Sequence, residues 1–227
     1  ERLVELAERA LAPFAGRARS PAAFPASYGG GEIRRADSHE QTHLVIGFPG
    51  RPFGEGQHFP LQIFAGLLGG GLSSRLFQEV REKRGLAYAI DSFHWPFTDT
   101  GLFGIGAGCA PKQTAELIEV ALSCLKAAAA SATDVEMERA RAQMKVGLLA
   151  ALESPGGVVE HLARHTLAHG RVAGRREIAT KLDAVTLDAV RSAGAALVSA
   201  APTFAMVGPK LKLPPLADLL KRGTKAA

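Results

Sequence analysis

The stretch that decides the fold runs from Gly69 to Tyr88 and reads Gly-Gly-Gly-Leu-Ser-Ser-Arg-Leu-Phe-Gln-Glu-Val-Arg-Glu-Lys-Arg-Gly-Leu-Ala-Tyr. Its glycine triplet, Gly69, Gly70 and Gly71, ends an apolar helical pattern carried by Phe59, Ile63, Phe64, Leu67 and Leu68. Ser73 or Ser74 then offers a side-chain oxygen to cap a second helix, expected over 73–84. Leu72, Leu76, Phe77 and Val80 recur at helical spacing and are expected to form its buried face. Lys83 and Arg84 fall in the last turn, where the helix dipole favours cations, and Gly85 suits a left-handed cap. Arg81 then stands about one turn from the helix end and Tyr88 just past it, so both side chains can point at the same place.

Outward from that stretch, strands are expected over 32–36 and 41–48; the second is rich in Leu44-Val45-Ile46 and stops at Pro49-Gly50. The helix before the glycine triplet spans about 57–69. Further strands follow at 86–95 and 101–109, separated by Pro96 and the turn-prone Thr98-Asp99-Thr100-Gly101. Pro111 opens a long helix to about residue 130, and Thr133-Asp134-Val135-Glu136 is a capping box for another to about 152. Ser154-Pro155 starts a third helix to about 169, and helical patterns continue at 174–182 and 186–199. Residues 203–208 read as a final strand. Strands in antiparallel-style pairs with long helices between them, rather than strict alternation, predict an α+β fold.

The flanks differ in character. Residues 1–11 have helical spacing, 12–31 hold Pro13, Pro21, Pro25 and a second glycine triplet and read as a linker, and 209–227 form a dilute basic tail with a solvated terminus as its expected state. The domain proper is therefore placed at 32–208. The chain starts at Glu1 and is read as a fragment or a processed product.

Composition bounds the function classes. At 227 residues, 47 % hydrophobic and 22 % charged, the chain can bury a sizeable core of ordinary soluble type. A net charge of +5 without a basic face or stacking aromatics argues against nucleic-acid binding. No apolar run approaches the roughly 18 residues of a membrane span. Cys109 and Cys124 sit in apolar surroundings without metal spacing and read as buried free thiols.

Two histidine patterns invite a metal reading. His39-Glu40-Gln41-Thr42-His43 has the spacing of helical zinc proteases, but it leads into a strand. There the two imidazoles stand about 13 Å apart, beyond the reach of zinc–nitrogen bonds of about 2 Å. His161, His165 and His169 share one helix face beside Glu160 and could hold a transition metal, although a solvated face is the ordinary outcome for such a stripe. The triplet Gly69–Gly71 has no following Lys-Ser/Thr, so it is no phosphate loop.

The central stretch resembles the C-terminal half of the pitrilysin, insulinase and mitochondrial-processing-peptidase family of zinc metallopeptidases. Ser74, Arg75, Leu76, Phe77, Arg81, Gly85, Leu86, Ala87 and Tyr88 fit that family's pattern position by position. The similarity extends upstream through residues 40–50 and more weakly to about Val207. It implies an antiparallel sheet with helices packed on one face plus a helical subdomain, with residues 1–11 as the last helix of a preceding half. The family's zinc motif, His-x-x-Glu-His, is absent from this sequence. The resemblance therefore implies no catalytic and no metal-binding residue in this chain, with zinc on a missing N-terminal half or a homologous partner, and no peptidase activity for the chain alone.

What the resemblance assigns to this half is grip on substrate. By themselves Arg81 and Tyr88 would be a surface arginine and a strand tyrosine; matched to the family, they bind the substrate main chain near the scissile carbonyl. Arg75 and Arg84 lie close by, but only Arg81 has the family's spacing to Tyr88. Gly69, Gly70 and Gly71 match a substrate-guiding loop. The implied partners are the zinc-bearing half and a peptide, with a homodimer as a further pairing, in a bacterial cytoplasm or periplasm. The alternative is a non-catalytic assembly subunit like the family's respiratory-complex core proteins, which would have no need of the Arg81–Tyr88 pair.

Overall fold

The structure, a computed structural model, describes residues 1–14, 26–53 and 58–222. Five strands form one sheet in the order β1-β5-β2-β4-β3, where β1 is Gly31–Ala36, β2 Thr42–Pro49, β3 Ala89–Pro96, β4 Gly101–Cys109 and β5 Thr203–Gly208. All neighbours are antiparallel except β1 and β5, which run parallel because the chain re-enters beside β1 only after its whole helical portion. The expected antiparallel sheet thus carries one parallel pair at its edge.

Period-two alternation decides which face is buried. Thr42, Leu44, Ile46 and Phe48 of β2 point to one side, opposite Cys109, Ala107, Ile105 and Phe103 of β4. Helices α2 (His58–Gly69), α3 (Thr114–Ser131) and α7 (Leu187–Ser199) cover that side, so Phe48, Phe64, Phe103 and Phe204 meet in a single continuous core. Burying side chains of this size contributes about 2 kcal/mol each. The opposite face of the sheet is open.

The helices start where their caps demand. Thr133 Oγ1 accepts from the Glu136 N–H and Glu136 reaches back to the Thr133 N–H, opening α4 (Asp134–Ala151). Ser154 caps α5 (Pro155–His169), with Gly170 at φ +66° ending it, and α6 (Arg175–Asp183) follows. The amphipathic α1 (Arg2–Leu11) buries none of its side chains against the described residues. Of the expected linker, residues 15–25 lie outside the described part. No helix among the described residues is long and apolar enough to cross a membrane.

The basic tail is a correction. Leu211 and Leu213 pack on the core, and α8 (Leu216–Arg222) buries Leu216 and Leu219 against α3. Arg34 donates to the Leu213 and Pro214 carbonyl oxygens, at 2.9 and 2.6 Å. The leucines at 211, 213, 216 and 219 outweigh the charge of the neighbouring lysines. Residues 223–227 lie outside the described part.

Candidate functional site

The segment expected as an α-helix over 73–84 is instead a π-helix over Phe77–Glu82, entered through Arg75 and Leu76. Ser74 supplies the cap, accepting from the Phe77 N–H at 3.4 Å. The Lys83 N–H donates to Gln78 O at 3.0 Å, five residues back. At the exit the Leu86 N–H donates to Val80 O at 2.9 Å and the Gly85 N–H to Arg81 O at 3.0 Å. This is a glycine cap one residue wider than in an α-helix, with Gly85 at φ +59°. Leu76, Val80, Leu86 and Ala87 are buried and anchor the turn on both sides. Leu72, expected on the buried face, is exposed, because it lies in the turn before the helix begins.

That anchoring leaves two side chains outside. Tyr88 is 79 % exposed at the start of β3, and Arg81 is 39 % exposed across the turn from it. The Arg81 guanidinium lies 5.3 Å from the Tyr88 ring centre and 4.7 Å from that of Phe77. The structure thus brings Arg81 and Tyr88 together. It adds Phe77 as a second aromatic wall, which the sequence reading assigned wholly to the core. The i, i+4 spacing of Phe77 and Arg81 is the signal that would have found it.

Its arginine neighbours are engaged elsewhere. Arg75 holds Glu136 through two bonds of 2.6 and 2.7 Å and also reaches Ser131. The Arg75 hydrogen bond pulls the Glu136 carboxyl down to about 2. Arg84 and Lys83 both hold Glu79, at 2.6 and 2.5 Å, and lower its pKa. Arg81 has only a long contact to Glu82 at 3.9 Å. Among these arginines, it is the guanidinium left open to a ligand.

The glycine triplet lies along the flank of β3. A Cβ on Gly69 would come within 2.5 Å of the Ser92 backbone nitrogen, and one on Gly70 within 2.7 Å of the Gly66 carbonyl oxygen. Close approach of α2 to β3 therefore requires glycine at Gly69, whereas at Gly70 it is the preceding turn of α2 that leaves no room for a side chain. Beyond it, the open sheet face forms a shallow trough of about 560 Å³ along Gly106 and Gly108, with Asp91, His43 and Arg35 on its sides.

The histidines fall as follows. His39 is exposed, 3.9 Å from Asp37, and His43 sits on extended chain in β2, leaning over Gly108. The His161 and His165 rings lie 4.2 Å apart, tilted by 42°, and the His161 ring bonds the Ala173 carbonyl at 3.1 Å; the His169 side chain lies outside the described part. Among the described residues no three His, Cys, Asp or Glu side chains converge on a metal-sized site. Cys109 and Cys124 are buried free thiols, and burial raises Cys124 to about 11.

The structure is thus an α+β domain that presents a guanidinium and a phenol beside its edge strand β3. The chain belongs to the family described as the Peptidase M16 inactive domain, which matches residues 1–144. It is 34 % identical over 91 % of its length to an uncharacterized zinc protease of Streptomyces coelicolor. To one of Bacillus subtilis it is 33 % identical over 81 %. It spans 44 % and 45 % of those two relatives, about half of each. Among solved structures it resembles a peptidase M16 inactive domain of Pseudomonas fluorescens, with TM-score 0.74 and 21 % identity over 87 % of this chain and 48 % of that one. A chain of Complex III2 from Candida albicans gives TM-score 0.81 and 22 % identity over 89 % of this chain and 51 % of that one. These two likenesses concern the fold.

Proposed function

We propose that this chain is the substrate-binding half of a zinc metalloendopeptidase whose other half, in the same polypeptide or a partner subunit, holds the zinc and its glutamate base. The single observation that carries this reading is the Arg81–Tyr88 pair, exposed at the start of an edge strand and held by a fully anchored turn. Arginine offers a fixed positive charge and tyrosine a neutral donor, a combination suited to a peptide carbonyl oxygen that gains negative charge during hydrolysis. The outer edge of β3 offers main-chain groups to an extended peptide. The glycine triplet, whose Gly69 packs against Ser92 of β3, takes the part of a guiding loop for that peptide in this reading. Among the described residues no cluster of His, Cys, Asp or Glu fits a zinc site.

The assembly-subunit alternative rests on fold likeness to the Complex III chain and leaves the exposed pair without a task. Intact mass and zinc content of the endogenous protein test the proposal. A polypeptide about twice this length, or a stable complex with a homologous subunit, carrying one zinc per pair of halves, is expected. A native protein without zinc, alone or in complex, would overturn it.

A further inference from the structure

The second glycine triplet, Gly29 to Gly31, follows a segment that is bound back over the sheet. The Ala26 N–H donates to Asp99 Oδ2, in the turn between β3 and β4, at 3.1 Å. The Tyr28 hydroxyl donates to the Gly47 carbonyl at 2.9 Å and accepts from Thr203 Oγ1 at 2.7 Å. By register, Thr203, Gly47, Gly104 and Phe93 form one row straight across the sheet. The two glycines of this row send no side chain to the open face. Phe93, with Trp95 stacked on it at 4.3 Å, lies over Gly104, and Tyr28 brings its hydroxyl to Gly47 from outside the sheet. The trough stops at this row: the residues that line it reach Val45, Gly106 and Asp91, in the next row toward Tyr88, and go no further.

We infer that residues 26–28 are a strap, latched by the Tyr28 hydroxyl and pivoting on Gly30 and Gly31, that closes the open face of the sheet at Gly47. Ala26, Ser27 and Tyr28 are all exposed, so hydrogen bonds rather than burial hold the strap in place. Each such bond adds little net stability beside a packed core, and a segment held this way opens locally long before the domain unfolds. Gly30 and Gly31 have φ of +65° and +124°, and a Cβ at either would meet nothing within 4 Å. Glycine is there for its backbone and not for room, as a pivot requires. In the latched state the Tyr28 hydroxyl serves as donor and acceptor at once, a double role that phenylalanine cannot imitate. A ligand confined to the trough leaves the latch alone, whereas one that runs on across Gly47 displaces Tyr28. The strap therefore sets how far along the open face a ligand reaches.

Energy transfer within this chain tests the latch. Trp95, the only tryptophan, is the donor, and a dansyl group on Ser27→Cys is the acceptor; Cys109 and Cys124 are buried and stay unlabelled. Tyr28→Phe keeps the ring and removes both bonds of the hydroxyl. It is expected to raise the released share of the strap, read from the long-lived donor component, about tenfold at an unchanged melting temperature. Thr203→Val should give a smaller rise, and the double variant no more than Tyr28→Phe alone, because the two side chains share one latch. Gly30→Ala should also raise the released share, since the left-handed backbone belongs to the latched state. Closure is read separately: a maleimide should label Thr203→Cys about tenfold faster once Tyr28→Ala is added. Unchanged transfer in Tyr28→Phe and Thr203→Val would overturn the latch, and unchanged transfer in Gly30→Ala alone would overturn the pivot. Equal labelling with and without Tyr28 would overturn closure of the face.

Discussion

The guanidinium of Arg81 is clasped between two aromatic faces, with the Tyr88 ring centre 5.3 Å away and that of Phe77 4.7 Å away. Each such contact contributes about 0.5–1 kcal/mol at a partly exposed site. The larger consequence is order. A long, flexible side chain is held in one place before any ligand arrives, so less rotamer freedom is lost on binding. The π-helical widening serves this arrangement, since it sets Phe77, Arg81 and the exit toward Tyr88 around one turn.

Phe77 is therefore expected to position Arg81. In the complete protein, Phe77→Leu keeps apolar packing at this half-buried site but removes the ring face. Peptide cleavage should fall about tenfold in kcat/KM, while the melting temperature changes little. Unaltered cleavage would show that Arg81 needs no second wall.

Arg75 has the opposite character and acts on stability. Its fork on Glu136 ties the start of the π-helix to the capping box of α4. Arg75→Ala should destabilise the fold by about 2 kcal/mol and Thr133→Ala by about 1 kcal/mol in denaturant titrations. Glu136 is depressed to about 2, below its ordinary 4.5, so its contribution is present above about pH 4.5 and is lost as the pH falls toward 2. Arg75→Ala should remove that acid-side slope.

His94 supplies a second pH dependence, in a different window. It lies buried on the covered side of β3, bonded through Nε2 to the Arg51 backbone, with no partner for Nδ1 among the described residues. Burial lowers its pKa from 6.5 to about 4, with nearby His58 adding to the effect and the Arg51 backbone bond opposing it. The unfolded chain binds this proton first, so stability should fall by up to about 3 kcal/mol as the pH drops from about 6.5 to 4. In urea titrations across that range, His94→Gln should flatten the slope; an unchanged slope would contradict the assignment.

Much of this was legible in the sequence because local rules and tertiary packing agree. The Thr133–Glu136 capping box, Ser154-Pro155, the alternation in β2 and the left-handed Gly85 each specify their element by local chemistry alone. The pairing of Arg81 with Tyr88 followed from their positions on either side of that glycine. The π-helix was not legible: its extra residue per turn has no periodic signature over six positions, and Leu72 was counted into a helix that had not yet begun. The docking of α8 was missed because lysines among the leucines read as a solvated tail, whereas burial of Leu216 and Leu219 depends on a face of α3 that only the fold creates. Phe93 and Trp95 escaped notice for a similar reason, since their stack exists only because Gly104 lies across the ladder.

The most direct test of the central claim is steady-state peptide cleavage by the complete protein with Arg81→Ala and, separately, Tyr88→Phe introduced. Loss of a preorganised donor to a developing oxyanion costs on the order of a hundredfold in rate. The account predicts a fall in kcat/KM of about that size for Arg81→Ala and a smaller one for Tyr88→Phe, with zinc content and melting temperature held at wild-type values. Wild-type cleavage in both variants would contradict it.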